Sequence, residues 1–336
     1  MNRRQFLGRS ALAAAGTGWA YLAGSVLFGR DDGPTLLNAS YDATRELYRQ
    51  LNHLFAERHP GVRVRPSHGG SGSQARAVAD GLPADVATLA LWPDTDHLRK
   101  QGLIDAGWED RFPYRSCPYT SQIVFVVRRG NPHQVRDWPD LASRPGLRLV
   151  TANPKTSGAA KLTVLAAWNA VTAAGGSDAD AEALVRAVFR RVPTLESSSR
   201  AATVTFARKR LGDVHLTWEN EGQLEARESN GDLELVYPTT TVRAEPHVAL
   251  LDANARRHGT VQLADEYLRF LYEPAAQEVI AANGYRPSDP AALARHAARF
   301  PAVAERAVGQ IVPGGWPEAQ TQFFADGGVF DRVYAG

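Results

Sequence analysis

With 336 residues, 44% of them hydrophobic and 22% charged, the chain has the composition of a globular protein long enough for two domains, or for one domain of two lobes. Its formal charge is +2, but Arg3, Arg4, Arg9 and Arg30 supply four positive charges, which leaves the remainder at −2. That balance offers no basic face for nucleic acid, and the single cysteine, Cys117, excludes an internal disulfide and a multi-cysteine metal site. No neighbouring motif supports Cys117 as a nucleophile, so a buried inert thiol is the expectation.

The first thirty residues read as an export signal. Arg3-Arg4-Gln5-Phe6-Leu7 has the R-R-x-F-L pattern of a twin-arginine signal, and an uncharged small and apolar run, Ser10 to Gly29, follows it. No A-x-A cleavage site closes the run, so a tether by the uncleaved signal stands beside release. Leu22-Ala23-Gly24-Ser25 resembles a lipoprotein box with Ser where the lipidated Cys would stand. The expected location is periplasmic or otherwise extracytoplasmic.

From Thr35 the chain alternates strands and helices. Thr35 to Ser40 reads as a strand, and Leu47, Leu51, Leu54 and Phe55 fall at helical spacing before Pro60-Gly61 stops the helix. Val62 to Pro66 is a second strand, followed by Ser67-His68-Gly69-Gly70-Ser71-Gly72-Ser73 and a helix to about Gly81. Asp85 to Ala90 is a third strand and Thr95 to Gln101 a third helix. This alternation predicts a mainly parallel sheet covered on both faces, with ligands beyond the carboxyl ends of its strands, where Asp42 and Ser71 lie.

Beyond the punctuation at Phe112-Pro113 and Cys117-Pro118, a strand spans Ser121 to Arg128 and another Arg148 to Thr151. Asn153-Pro154-Lys155-Thr156-Ser157-Gly158-Ala159 then opens a helix that runs to Ala173. Further helices span Asp178 to Val192 and Ala201 to Arg210. Strands follow at Asp213 to Trp218, Leu233 to Tyr237 and Val248 to Leu251, and the chain after Leu263 is mostly helical.

The two small-residue turns share one logic. A strand, a Ser-Gly turn and a helix start aim several free backbone N–H groups and a serine hydroxyl at one point, where the helix dipole adds partial positive charge. Neither turn has the G-x-G-x-x-G or G-x-x-x-x-G-K-[ST] spacing, which disfavours nucleotides. Facing one another across a cleft, they would form an anion site.

These segments resemble the sulfate-binding proteins that feed sulfate/thiosulfate ABC importers. The resemblance is carried by Leu36-Leu37-Asn38-Ala39-Ser40-Tyr41-Asp42-Ala43-Thr44-Arg45-Glu46, Ser67-His68-Gly69-Gly70-Ser71-Gly72 and Asn153-Pro154-Lys155-Thr156-Ser157-Gly158. Trp218-Glu219-Asn220-Glu221, Gly284-Tyr285-Arg286-Pro287 and Gly327-Gly328-Val329-Phe330-Asp331 extend it to the C-terminus. It implies the type II periplasmic-binding-protein fold, an α/β architecture of two lobes, each a mainly parallel sheet flanked by helices, joined by two hinge crossings. The expected division is 34–116 for lobe 1, 117–245 for lobe 2, and 246–336 for a return crossing and C-terminal helices packing mainly on lobe 1.

The resemblance further implies a dehydrated dianion held by the amide of Asp42, the hydroxyl and amide of Ser71, the hydroxyl of Ser157, the amides of Gly158, Ala159 and Ser199, and the indole N–H of Trp218. Arg200 would brace the Ser199 turn from behind. Implied partners are sulfate or thiosulfate and a membrane permease with its ATPase; no cofactor, metal or enzyme chemistry is implied, and a monomer is expected. A donor-only site suits an anion without protons, because an unpaired buried phosphate hydrogen costs roughly 1–3 kcal/mol.

The chain departs from the family at Ala43 (usually Pro), Ser73 (usually Lys), Ala159 (usually Gly) and Ser198-Ser199-Arg200-Ala201-Ala202-Thr203. Molybdate, phosphate and, in another class, a phosphate- or sulfate-ester enzyme are the alternatives. The enzyme needs a nucleophile or metal at the anion. Lys155 near Ser157 lacks S-x-x-K spacing, Glu219 and Glu221 have no positioned partner, and His53, His59 and His68 lack metal-ligand spacing.

Overall fold

The computed structural model describes residues 33–334, so the export signal at 1–30 lies outside the described residues. Eleven strands form among these: β1 (Thr35–Tyr41), β2 (Arg63–Gly69), β3 (Val86–Thr88), β4 (Tyr119–Arg128), β5 (Leu149–Val150), β6 (Val214–Trp218), β7 (Leu233–Val236), β8 (Thr240–Ala244), β9 (Val248–Leu250), β10 (Arg286–Pro287) and β11 (Ala304–Arg306). They make two sheets, and each sheet is the centre of one lobe.

The first sheet has the order β2-β1-β3-β9, with β1 parallel to both its neighbours and β9 antiparallel at the edge. A central strand must satisfy its polar side chains internally. The Thr88 hydroxyl accordingly donates to Asn38 Oδ1 (3.0 Å), and the buried Ser40 and Thr44 hydroxyls share a hydrogen at 2.6 Å. Helix α1 (Arg45–Arg58) buries Leu47, Leu51 and Phe55, spaced four apart on one face. It ends at Arg58, and the turn into β2 passes through Gly61, whose φ of +86° suits glycine.

The second sheet is built around β4, a strand buried at every position except Thr120 and Arg128. It departs from the mainly parallel arrangement expected of it. β4 enters from the first lobe running against β6, β7, β8 and β10, and only the β5–β6 and β8–β11 pairs are parallel. β8 and β11, unmarked in the sequence, are five and three residues long, too short for a clear alternating pattern.

The chain passes between the lobes three times, not twice. The passages are 112–118 into β4, 245–247 into β9, and 283–285 into β10. In the first, Tyr114, Arg115 and Ser116 take left-handed φ values of 52°, 56° and 58°, a conformation that costs roughly 1–2 kcal/mol per residue. The Ser116 hydroxyl holds this turn, donating to Trp108 O (2.8 Å) and accepting from the Phe112 amide (3.3 Å).

The segment after 246 divides between the lobes and does not pack mainly on the first. Helix Val261–Phe270 lies against β9 and helix Pro274–Ala282 against α1, whereas β11 joins β8 and helix Val329–Tyr334 packs on helix Asp178–Phe189. Helix Pro290–Arg295 starts where the Asp289 carboxylate accepts from the amides of Ala291 (3.2 Å) and Ala292 (3.1 Å). Asp289→Ala lowers unfolding free energy by about 1 kcal/mol in a denaturant titration, the usual effect of losing an N-cap.

Candidate functional site

The site lies where the two small-residue turns meet. β2 delivers Gly69 and Gly70 to the start of α2 (Ser71–Ala79), and no side chain caps that helix. Its first intrahelical bond is Gln74 N–H to Gly70 O (2.9 Å), so the amides of Ser71, Gly72 and Ser73 have no partner within the helix. On the other lobe, Ser157 precedes α4, the helix Gly158–Thr172 (α3 is Trp92–Lys100). Its hydroxyl does not cap that helix either. The first bond there is Lys161 N–H to Ser157 O (3.2 Å), which leaves the amides of Gly158, Ala159 and Ala160 likewise.

A small, narrow cavity separates these helix starts. Tyr41, Asp42, Gly70, Ser71 and Ala90 line it from the first lobe, and Ser157, Gly158, Ala159, Ser198, Ser199 and Trp218 from the second. The cavity is far smaller than the ~300–1,000 Å³ of organic-ligand pockets, so only a small ligand suits it. All seven residues singled out in the sequence as ligand-binding stand in that lining. Tyr41, Gly70, Ala90 and Ser198 join them; three are chain neighbours of singled-out residues, and Ala90 lies two residues beyond β3, its amide on Ser71 Oγ.

The lobes are in contact around the cavity. A Cβ on Gly158 would lie 3.1 Å from Leu91 Cγ and 3.2 Å from Ala90 Cβ, and one on Gly70 would lie 3.4 Å from Thr156 O. A second tie is made by Asp42. Its carboxyl meets the Ser198 hydroxyl and the Arg200 amide across the cleft, with the amides of Ala43 and Asp42 itself nearby; burial raises its pKa and these hydrogen bonds oppose the rise. Ser198 also caps the short helix α5 (Ser199–Thr203), accepting from Ala201 N–H (3.2 Å).

Hydroxyl partners differ between the two serines. Ser157 Oγ lies 3.2 Å from Ser199 Oγ, a pair that shares hydrogens between two small donors. Ser71 Oγ donates to Asp94 Oδ2 (2.6 Å) and accepts from Ala90 N–H (3.0 Å), a partner on α3 that sequence proximity does not suggest. Burial raises the Asp94 pKa, opposed first by Lys161 and then by the Ser71 bond. Burial also lowers the Lys161 pKa, with Asp94 acting against it. At Ser73, the usual Lys position, the hydroxyl accepts from Arg76 Nη2 (3.2 Å).

Trp218 is 1% exposed, its ring lies 6.0 Å from that of Tyr41, and its indole N–H has no acceptor among the described residues. Trp92 and Trp138, by contrast, donate to Glu109 Oε1 and Thr240 O. An indole N–H can only donate, and in the cavity lining it is available to a ligand acceptor. No cationic side chain lines the cavity. Arg200 directs Nη1 to Glu221 Oε2, 3.9 Å away, and its side chain is 43% exposed.

Glu219 and Glu221 do not share a face. β6 stops at Trp218 and Glu219 begins α6 (Glu219–Glu228), where residues two apart diverge. Glu219 holds Arg286 through two bonds of 2.6 and 2.8 Å, while Glu221 turns to Thr203. Lys155 is committed to structure, donating to Phe324 O (2.9 Å) and Asp331 Oδ2 (3.0 Å). Cys117 is buried, and burial pushes its pKa well up, which removes the thiolate. Among the described residues no group of three or more His, Cys, Asp or Glu is placed to hold a metal ion.

Two α/β lobes closing on a small cavity lined by unpartnered amides define a two-lobed solute-binding protein. A family model described as bacterial extracellular solute-binding protein matches residues 36–286. A sulfate-binding protein of Escherichia coli K12 is 44% identical over 305 residues, covering 89% of this chain and 92% of its own length. A thiosulfate-binding protein of Pseudomonas aeruginosa is 43% identical over 307 residues, with coverage of 89% and 92%. Among solved structures, the sulfate-binding protein SubI of Mycobacterium tuberculosis H37Rv matches with a TM-score of 0.79 at 31% identity, over 87% of this chain and 99% of that one. The chain belongs to the bacterial extracellular solute-binding proteins and, within them, to the family of the sulfate-binding proteins.

Proposed function

We propose that this protein captures sulfate between its lobes and delivers it, from an extracytoplasmic location, to an ABC permease and its ATPase. The observation that carries the reading is the donor set. Helix-start amides of α2 and α4, the Ser157–Ser199 hydroxyl pair and the unpartnered Trp218 indole converge on one cavity without a contacting cation. Amides and an indole can only donate, which suits an oxyanion that carries no hydrogen. Thiosulfate, named in the P. aeruginosa relative, has the same tetrahedral donor requirement and is the second reading.

The amides of Asp42, Ser71, Gly158, Ala159 and Ser199 would reach the anion directly, and the Ser71 hydroxyl would have to exchange Asp94 for it. Arg200 acts from outside the cavity, its amide holding the Asp42 carboxyl and its guanidinium facing Glu221. Residues 34–116 and 117–245 would be the bodies that close, because a ligand favours closure only through contacts it makes with both. The protein acts by binding alone, as a monomer with no covalent step; Lys155 and Cys117, the two nucleophile candidates near the turns and hinge, are committed or neutral. Ser157→Ala weakens sulfate by about 1–2 kcal/mol in titration calorimetry, the worth of one hydrogen bond to a charged acceptor. Unchanged affinity there would place the anion elsewhere.

A further inference from the structure

Behind the Ser198–Ser199 wall lies a buried acidic cluster that the binding scheme does not use. Glu221, Glu225 and His215 are 3%, 3% and 1% exposed. His215 Nδ1 lies 2.9 Å from Glu225 Oε1 and 3.1 Å from Oε2. The Thr203 hydroxyl, at the end of α5, lies 2.9 Å from Glu225 Oε1 and 3.0 Å from Glu221 Oε2. One hydroxyl has one hydrogen, so it donates to one of these oxygens and meets the other lone pair to lone pair unless a carboxyl hydrogen fills the gap. Glu225 already shares a hydrogen with His215 Nδ1. Glu221 has only Arg200 Nη1 at 3.9 Å, so the extra hydrogen belongs on Glu221.

We propose that Glu221 is a positioning residue held as a neutral carboxylic acid that donates to Thr203, and that its ionisation weakens anion capture. The inference rests on the sulfate reading above and deepens it. Its route is short: α5 carries Thr203 at one end and, at the other, Ser199 in the cavity lining and the Arg200 amide that donates to the Asp42 carboxyl. An ionised Glu221 would repel Glu225 on its own helix, Asp42 across the cleft and the incoming dianion, and it would lose its bond to Thr203. The other groups facing it are Arg200 on α5, which favours ionisation, and Tyr285 from the third passage between the lobes. Burial, reinforced by Glu225, pushes the Glu221 pKa up to about 8, within reach of mild alkali.

The test is titration calorimetry of the wild type and Glu221→Gln with sulfate at pH 7 and 9.5. Wild-type Kd is expected to rise about three- to tenfold between these values as a charge appears near the anion. Glutamine keeps a neutral donor for Thr203, so the ratio of its two Kd values should stay close to one. A flat wild type, or the same alkaline loss in Glu221→Gln, overturns the proposal. Absence of any sulfate heat at pH 7 would instead overturn the sulfate reading, and a ligand-free measurement then decides about Glu221. With its folded-state pKa raised from 4.5 to about 8, Glu221 stabilises the fold fully below about pH 4.5, and that stability is lost as pH rises to about 8. Wild-type Tm should therefore fall relative to Glu221→Gln across that window and run parallel above it. Parallel profiles throughout would overturn the neutral acid.

Discussion

Trp218→Phe lowers sulfate affinity by about 2–3 kcal/mol, some 30- to 150-fold in Kd, as read by titration calorimetry. The substitution keeps an aromatic ring against Tyr41 and removes the one indole N–H in the cavity lining. In the wild type that N–H belongs to a residue of the cavity lining and can only donate, so the anion is its natural acceptor. Removing it costs the ligand a charge-assisted bond, which acts against binding. Far-UV circular dichroism of the variant should match the wild type. Equal affinity in the two proteins would mean that the indole does not face the anion.

Gly158→Val reduces sulfate affinity by about 3 kcal/mol or more, a loss beyond a hundredfold, through sterics alone. The Gly158 amide survives the change, so the donor count is the same. Its new Cβ would sit 3.1 Å from Leu91 Cγ and 3.2 Å from Ala90 Cβ, both on the opposite lobe, and the two methyl groups have no space left. The lobes would stop short of contact and the α2 and α4 amides would no longer reach one anion together. Stability without sulfate should change little, whereas the rise in Tm that sulfate gives the wild type should vanish. A Gly158→Val protein that still gains Tm with sulfate would contradict closure across Ala90 and Leu91.

The features legible in sequence are those set by neighbours in the chain. The amphipathic spacing of Leu47, Leu51 and Phe55, the small-residue turns at Gly70-Ser71 and Ser157-Gly158, and the strand leading to Trp218 all depend on residues a few positions apart. What escaped reading depends on distant partners. The Ser71 hydroxyl is drawn to Asp94 and the Asp42 carboxyl to Ser198, contacts that only the tertiary fold creates. Trp218-Glu219-Asn220-Glu221 alternates like a strand, yet the chain becomes helical at Glu219 and the two carboxyls part company, one to Arg286 and one to Thr203. The antiparallel second sheet was hidden for a related reason. Whether β4 runs with or against its neighbours is decided by the passage through residues 112–118, not by its own sequence, whose apolar run Ile123–Val127 reads the same either way.

The claim at the centre is that a cavity lined mainly by N–H donors prefers an anion without hydrogens. Titration of the mature protein at pH 7 with sulfate and, separately, with inorganic phosphate measures that claim directly. Sulfate should bind with saturable heat at one site per chain, and phosphate should bind at least tenfold more weakly, because its remaining hydrogen meets amides and an indole that cannot accept it. Tight phosphate binding with no heat from sulfate would contradict the account.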